Sequence, residues 1–333
     1  MPQEPTQHHR RPHDLIDTFV SHLHSTMTLW YTPPALRPTA ARGIRLLSTQ
    51  SAASIKRTPP QGSAQQRFRE FNLEGKVFAV TGGGRGLGLT MAEALVEAGG
   101  EVHCLDLLAD PHEDFHAARA RANPDFGGAL HYQRFDVRDK KGSDEIMASI
   151  ASRKHRLDGV IVAAGINHVA TALDYRESDI QRIIDTNYKG VFYTATAAGR
   201  QMLKHKTRGS ILLIASMSGL IANKGMNSSI YNSSKAAVIQ LGRSLAMEWA
   251  RVDAQGQGGI RVNTLCPGHI VTPMAQMVID QDPKTKEIWE SENMMGRLSR
   301  PEEFRGLALL LMSDASSFMT GSTTVCDGGH TAW

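Results

Sequence analysis

The stretch Lys76–Gly88 leaves this chain the fewest folding options. An apolar run, Lys-Val-Phe-Ala-Val-Thr, leads into Gly82-Gly83-Gly84-Arg85-Gly86-Leu87-Gly88. A helical pattern follows with Met91, Leu95 and Val96 on one face, and it ends at Gly99-Gly100. A lone glycine loop marks only a turn. Between a strand and a helix it does more: glycines let the backbone approach a pyrophosphate, whose charge the helix N-terminus stabilises. The spacing Thr-Gly-x-x-x-Gly-x-Gly assigns Gly82, Gly86 and Gly88 to that role, with Arg85 and Leu87 between them.

Further apolar runs at Val102–Leu107, Leu130–Val137, Leu157–Ala164, Ser210–Ala215, Ile260–Leu265 and Thr323–Cys326 read as strands. Helical stretches separate them, most clearly at 141–153, 178–203, 229–251 and 301–312. Strands alternating with helices at this spacing imply βαβ crossovers and a parallel sheet covered on both faces. Residues 71–333 therefore read as one doubly wound α/β domain, Rossmann-like, following a leader over 1–70.

Asp106 ends the second strand, 18 residues past Gly88. A carboxylate there accepts both hydroxyls of an adenosine ribose and repels a 2′-phosphate, which favours NAD. Arg85 points the other way, toward the phosphate of NADP. A pairing of Arg85 with Asp106 is the structural alternative.

Tyr231 and Lys235 stand four apart in the 229–251 helix and share one face. Three neighbours lift this above a surface pair: the Ser-rich strand end Ala215–Ser218, Asn187 on the preceding helix, and Pro267-Gly268 after the next strand. An ammonium beside the phenol and the positive nicotinamide of a bound cofactor would together lower its pKa from about 10 toward the working range.

Taken in order, the Thr81–Gly88 loop, Asp136-Val137, Thr-Asn187-Tyr, Ser216 with Gly219, Tyr231-Asn-Ser-Ser-Lys235, Asn263–Gly268, Thr272 and Asp327-Gly328-Gly329 span the whole domain. Residues 75–333 resemble the short-chain dehydrogenase/reductase family. The segment Val162-Ala163-Ala164-Gly165 departs from the family's usual Asn-Asn-Ala-Gly and removes a polar contact within the sheet. The resemblance implies an NAD(P)-dependent oxidoreductase in which Tyr231 is the acid/base and Ser216 binds the substrate oxygen. Lys235 would hold the nicotinamide ribose, and Asn187 a proton-relaying water. It also implies cofactor contacts from Asp136, Val137, Gly165, Pro267, Ile270 and Thr272. Ser218 is the alternative serine, 13 residues before Tyr231 where Ser216 lies 15 before. Tyr188 and Tyr193 read as packing residues, and His269 as structural. Pro273–Arg300, with Met274, Met277, Trp289, Met294 and Met295, reads as a substrate lid whose methionines pack into the core.

The Ala215–Gly219 wording and the Asp-Gly-Gly-His…Ala-Trp end resemble the fungal polyol dehydrogenases, which interconvert arabinitol, mannitol or sorbitol with ketoses. Alternatives are a reductase of 3-oxoacyl thioesters or of a secondary-metabolite ketone, and a catalytically silent dinucleotide binder. Homo-oligomerisation, as a tetramer or dimer through the long helices, is a further implication of the resemblance.

Charge settles the remaining partner classes. The formal net charge of +4 is uneven: residues 1–70 hold nine of the 37 Lys+Arg but only four of the 33 Asp+Glu. The catalytic segment is close to neutral, which argues against nucleic acid. No run reaches the ~18–20 apolar residues of a membrane span. From Met27 to Arg69 the leader is Arg- and Ser-rich and free of acids, the composition of a mitochondrial transit peptide, with Met27 as an alternative start. A solvated leader without an address, on a cytoplasmic protein, is the other reading. Cys104, Cys266 and Cys326 lack zinc or redox spacing and read as reduced core thiols. The leader histidines His8, His9, His13, His22 and His24 have no folded frame, so no metal is expected.

Overall fold

The computed structural model describes residues 68–122, 127–282 and 284–333, so the readings of the leader fall outside the described residues. Seven strands form one parallel sheet: β1 (Val77–Thr81), β2 (Glu101–Asp106), β3 (Ala129–Arg134), β4 (Gly159–Val162), β5 (Ser210–Ile214), β6 (Arg261–Pro267) and β7 (Thr323–Cys326). Their order is β3-β2-β1-β4-β5-β6-β7. The chain winds outward from β1 in one direction and from β4 in the other. The crevice for a ligand therefore opens at the carboxyl ends of β1 and β4.

Alternation along each strand divides the core in two. Val77, Ala79, Val160, Val162, Ile211 and Leu213 face one side, under the Lys140–Lys154, Val191–Lys204 and Ser229–Trp249 helices. Phe78, Val80, Val102, Cys104, Ile161 and Leu212 face the other, under the Gly86–Glu97 and Arg305–Met312 helices. The central strands, buried on both faces, read as continuous apolar runs, whereas the edge strands β3 and β7 are only partly buried.

The helix read as 178–203 is interrupted. It runs Glu177–Ile184, passes through a π-helical turn at Asp185–Gly190 and resumes at Val191–Lys204. Two contacts account for the turn. A methyl group on Gly190 would stand 2.8 Å from Val137 Cγ2, and the Asn187 side chain is tied across to Ile166. Such bulges occur where a side chain must be re-aimed into a site. A helix at Glu113–Arg121, absent from the sequence reading, buries only Phe115 and Ala118 and so carries little apolar period. No helix among the described residues is long and apolar enough to cross a membrane.

Candidate active site

The glycine loop sits at the switch point. Gly82 has φ +69°, and a methyl group there would lie 2.8 Å from the backbone N of Ala164. The loop and the segment after β4 are in contact, and only glycine fits between them. Gly86 also has positive φ and opens the Gly86–Glu97 helix, whose first amides lack intrahelical acceptors. Asp106 leaves β2 with Oδ2 accepting the Gly84 N–H at 3.0 Å and Oδ1 accepting the Leu107 N–H at 2.8 Å. No Arg85–Asp106 ion pair forms among the described residues, and the Arg85 side chain is exposed. The glycine cradle, the free helix amides and the carboxylate, which keeps unused lone pairs, fit a dinucleotide.

Asp136 and Val137 follow β3. The Asp136 carboxylate is held by the Arg138 guanidinium at 2.6 Å, which lowers its pKa, while Val137 is buried against Gly190. At the far side, Pro267 closes β6, and a methyl group on Gly268 would stand 2.6 Å from Asp327 Cα. Ile270 bridges to Ser299, and Thr272 Oγ1 caps the Pro273–Gln281 helix by accepting the Ala275 N–H at 3.3 Å. The turn that carries Pro267, Ile270 and Thr272 is thereby fastened to both ends of the lid.

The residues expected to carry proton transfer assemble beneath this turn. The Ser229–Trp249 helix presents Tyr231 and Lys235 together, with Lys235 Nζ 5.6 Å from the centre of the Tyr231 ring. Lys235 is buried, and Nζ donates to the Ile214 carbonyl at 2.9 Å. A methyl group on Gly165 would lie 3.4 Å from Lys235 Nζ and 3.5 Å from Asn187 Oδ1. Gly165 therefore keeps the space between these two groups open. Asn187 Oδ1 accepts the Ile166 N–H at 2.9 Å, and Nδ2 donates to the Ile166 carbonyl and to Ser234 Oγ. Both amide hydrogens are committed, so a water could use the side chain only as an acceptor.

The two serines separate. Ser216 lies against the Tyr231 phenol and partly offsets the rise that burial imposes on its pKa. Ser218 sits behind: its N–H donates to Ser216 Oγ at 3.1 Å, the two hydroxyl oxygens are 3.1 Å apart, and Asn223 Nδ2 donates to Ser218 Oγ at 2.6 Å.

In the free chain the lysine's share of the expected acidification is absent. Burial is the largest influence on Tyr231 and raises its pKa above the ordinary value, with Ser216 opposing it. Burial also pushes the Lys235 ammonium down to about 8. The lysine does not acidify the phenol in the chain alone, because it faces the ring and the Ile214 carbonyl.

The lid comprises the Pro273–Gln281 and Lys284–Ser291 helices and their return. Its methionines are not core: Met274, Met277, Met294 and Met295 are exposed, and Trp289 alone of the five is buried. Trp289 stacks on His269 at 3.9 Å, which gives that histidine its structural role, and burial pushes the His269 pKa down to about 3. Tyr188 is exposed rather than packed, while Tyr193 is half-buried. A cavity of about 320 Å³ lies beside the loop that follows Ser218, lined by Ile221, Ala222, Lys224, Ser291, Glu292, His330 and Trp333. None of the four proton-transfer candidates lines it.

Sequence reasoning missed Asn223, Ser234 and His330. Ser234 links Asn187 to the Tyr231 carbonyl, and its place three residues after Tyr231 was the available signal. Asn223 sits outside any motif, and His330 closes the Asp-Gly-Gly-His end, whose wording assigns it no role; only the fold brings them to the site.

A family model described as enoyl-(acyl carrier protein) reductase matches residues 82–331. A short chain dehydrogenase/reductase notP′ of Aspergillus versicolor is 38% identical over 82% of this chain and 92% of its own length. Galactitol 2-dehydrogenase of Rhizobium johnstonii is 38% identical over 81% of this chain and all of its own. D-arabinitol 2-dehydrogenase (ribulose-forming) of Scheffersomyces stipitis is 35% identical over 79% and 96%. Among solved structures, a short-chain type dehydrogenase/reductase from Mycobacterium marinum superposes with a TM-score of 0.71 at 36% identity, covering 80% of this chain and 99% of its own.

Proposed function

The chain belongs to the short-chain dehydrogenase/reductase family, and from that premise we propose that it interconverts a polyol and its ketose with NAD. It is an oxidoreductase that acts on the CH–OH group of a secondary alcohol, with a nicotinamide dinucleotide as cofactor. Bound at the switch point, the dinucleotide supplies or accepts the hydride.

The chain's own residues do the rest. Gly82, Gly86, Leu87 and Gly88 offer backbone to the pyrophosphate, Asp106 the ribose contact, and Ile270 and Thr272 the turn beside the nicotinamide. Lys235, held by Ile214, would bind the second ribose. Ser216 donates its O–H to the substrate oxygen and fixes it next to Tyr231. In reduction the phenol gives its proton to that oxygen, and in oxidation it takes the proton back. Asn187 holds the Ile166 segment and the helix turn in register.

The observation that carries the reading is the grouping of Ser216, Tyr231, Lys235 and Asn187 around the open space at Gly165. Hydroxyl-rich substrates are favoured by the buried, unpartnered Asn223 Oδ1, Ser228 Oγ and Asn232 Oδ1, which flank Tyr231 in sequence. Buried polar atoms of this kind select ligands that can pair with them. NAD is favoured over NADP by Asp106. The exposed lid methionines support the second reading, reduction of an apolar or 3-oxoacyl ketone.

Initial rates with NAD and NADP across galactitol, D-arabinitol, mannitol, a 3-oxoacyl thioester and simple ketones test both. Turnover of the polyols with NAD is expected. Rates confined to the thioester would support the second reading, and cofactor binding without hydride transfer a silent protein. Exposed Tyr188, Phe192 and Met247 on the long helices support self-association, which sedimentation tests. The leader's composition supports a mitochondrial matrix address, and N-terminal sequencing of the native protein with an intact Met1 would oppose it.

A further inference from the structure

Glu101 and His103 stand two residues apart on β2 and so project to the same face of the sheet. The parallel register sets His131 of the edge strand β3 directly beside His103. These side chains converge. His103 Nε2 lies 3.1 Å and His131 Nε2 3.5 Å from the same oxygen, Glu101 Oε1. The imidazoles stack with centroids 4.6 Å apart, and the three candidate ligand atoms lie within 4.8 Å of one another. None of the three belongs to the dinucleotide cradle or to the proton-transfer group.

We infer that Glu101, His103 and His131 form a binding site for one zinc-class divalent cation. Two atoms each ~2.0–2.1 Å from a tetrahedral zinc ion stand about 3.3 Å apart. The two nitrogen–oxygen separations bracket that value. Two imidazoles with one carboxylate suit zinc, copper or nickel, whereas magnesium and calcium prefer all-oxygen sites. The second carboxylate oxygen, Oε2, accepts from Lys154 Nζ at 2.7 Å. That contact orients the carboxylate and leaves Oε1 for the cation, the outer support that ligating carboxylates ordinarily have. Lys154, Arg153 and Arg119, positive groups acting on this cluster, weaken the attraction without occupying the ligand atoms. His131 is partly open to solvent, which gives a route in and room for a water as fourth ligand. A cation here clamps β2 to the edge strand, three residues before Asp106 of the cofactor site.

The sequence reading expected no metal because the leader histidines have no folded frame and the three cysteines lack zinc spacing. Here the ligands are adjacent only through strand register.

The test compares the full chain with His131→Gln, both stripped with chelator and then titrated with Co²⁺ and with Zn²⁺ by absorbance and calorimetry. The wild-type chain is expected to take one more equivalent than the variant, with the intense visible bands of tetrahedral cobalt. Turnover of the two chains without metal should agree. Histidines of the leader bind equally in both and cancel. Glu101→Gln, which keeps the side chain's shape, is expected to weaken uptake at least tenfold. Equal stoichiometry in wild type and His131→Gln, or uptake unchanged in Glu101→Gln, would overturn the site and leave a hydrogen-bonded trio.

Discussion

Lys235→Met is expected to stabilise the fold while removing activity, and the structure sets the size of the effect. Lys235 is 4% exposed, and its pKa falls from 10.5 to about 8 because burial disfavours the ammonium. That fall corresponds to about 3 kcal/mol by which carrying the charge penalises the native state near neutral pH. Methionine has a similar length and no charge. Losing the hydrogen bond to the Ile214 carbonyl returns about 1 kcal/mol of that. The net expectation is a gain of about 1–2 kcal/mol, or a rise in Tm of roughly 2–8 °C for a domain of this size.

The pH dependence makes the prediction specific. Below pH 8 the lysine is protonated in both native and unfolded chains, and the penalty is complete. Between 8 and 10.5 the native lysine is neutral while the unfolded one still binds a proton, so wild-type stability rises relative to the variant. Above 10.5 the charge penalty is gone, and the variant is left the less stable by the lost hydrogen bond, about 1 kcal/mol. Other titrating groups are common to both chains and cancel in the comparison. Denaturant melts of the two proteins from pH 7 to pH 11, without cofactor, measure it. A variant less stable than wild type at pH 7, or a difference that stays flat from 8 to 10.5, would refute the burial argument.

Tyr231→Phe should lower turnover by about 10²–10⁴-fold while leaving dinucleotide binding intact, read by cofactor fluorescence. Ser216→Ala should lower kcat by at least about tenfold, and Ser218→Ala, whose hydroxyl is already engaged by Asn223, should cost less; the reverse order would exchange their roles. Asp106→Ser removes the charge that opposes a 2′-phosphate, so the ratio of kcat/KM for NAD over NADP should fall about tenfold or more. His269, held near 3 by burial, charges in the unfolded chain below about 6.5. Its contribution to stability is complete above that pH and is lost as pH falls from 6.5 toward 3, so His269→Gln should show a shallower acid limb in melts.

The seven strands, the glycine loop and the pairing of Tyr231 with Lys235 were legible because each has a local signature. Central strands are apolar throughout, the glycine loop lies between strand and helix, and Tyr231 and Lys235 are one helical turn apart. What escaped depends on contacts between distant segments. The π-helical turn at Asp185–Gly190 answers to Ile166 and Val137, neither visible from the helix itself. The methionines of the lid have helical spacing, but spacing alone says nothing of which face meets protein. Trp289 is buried because His269 lies flat against it, while its methionine neighbours face outward.

The direction of the Tyr231 shift shows the same limit in the chemistry. One helical turn brings an ammonium near a phenol, and sequence spacing then suggests a more acidic tyrosine. Yet the ammonium's reach is fixed by β5, whose Ile214 carbonyl draws Nζ over the ring face, and the phenolate would lose its water on burial. The free chain accordingly keeps Tyr231 protonated, ready to donate a proton in ketone reduction. Taking a proton in alcohol oxidation then calls for the additional positive charge of an oxidised nicotinamide beside the site. Phenolate absorbance of wild type minus Tyr231→Phe isolates this one group. In the free chain the ionisation should lie above pH 10, and saturating NAD⁺ should bring it down by about one unit or more, the usual influence of a nearby opposite charge. A free-chain ionisation below 10 would mean that Lys235 alone acidifies the phenol and that burial does not govern it.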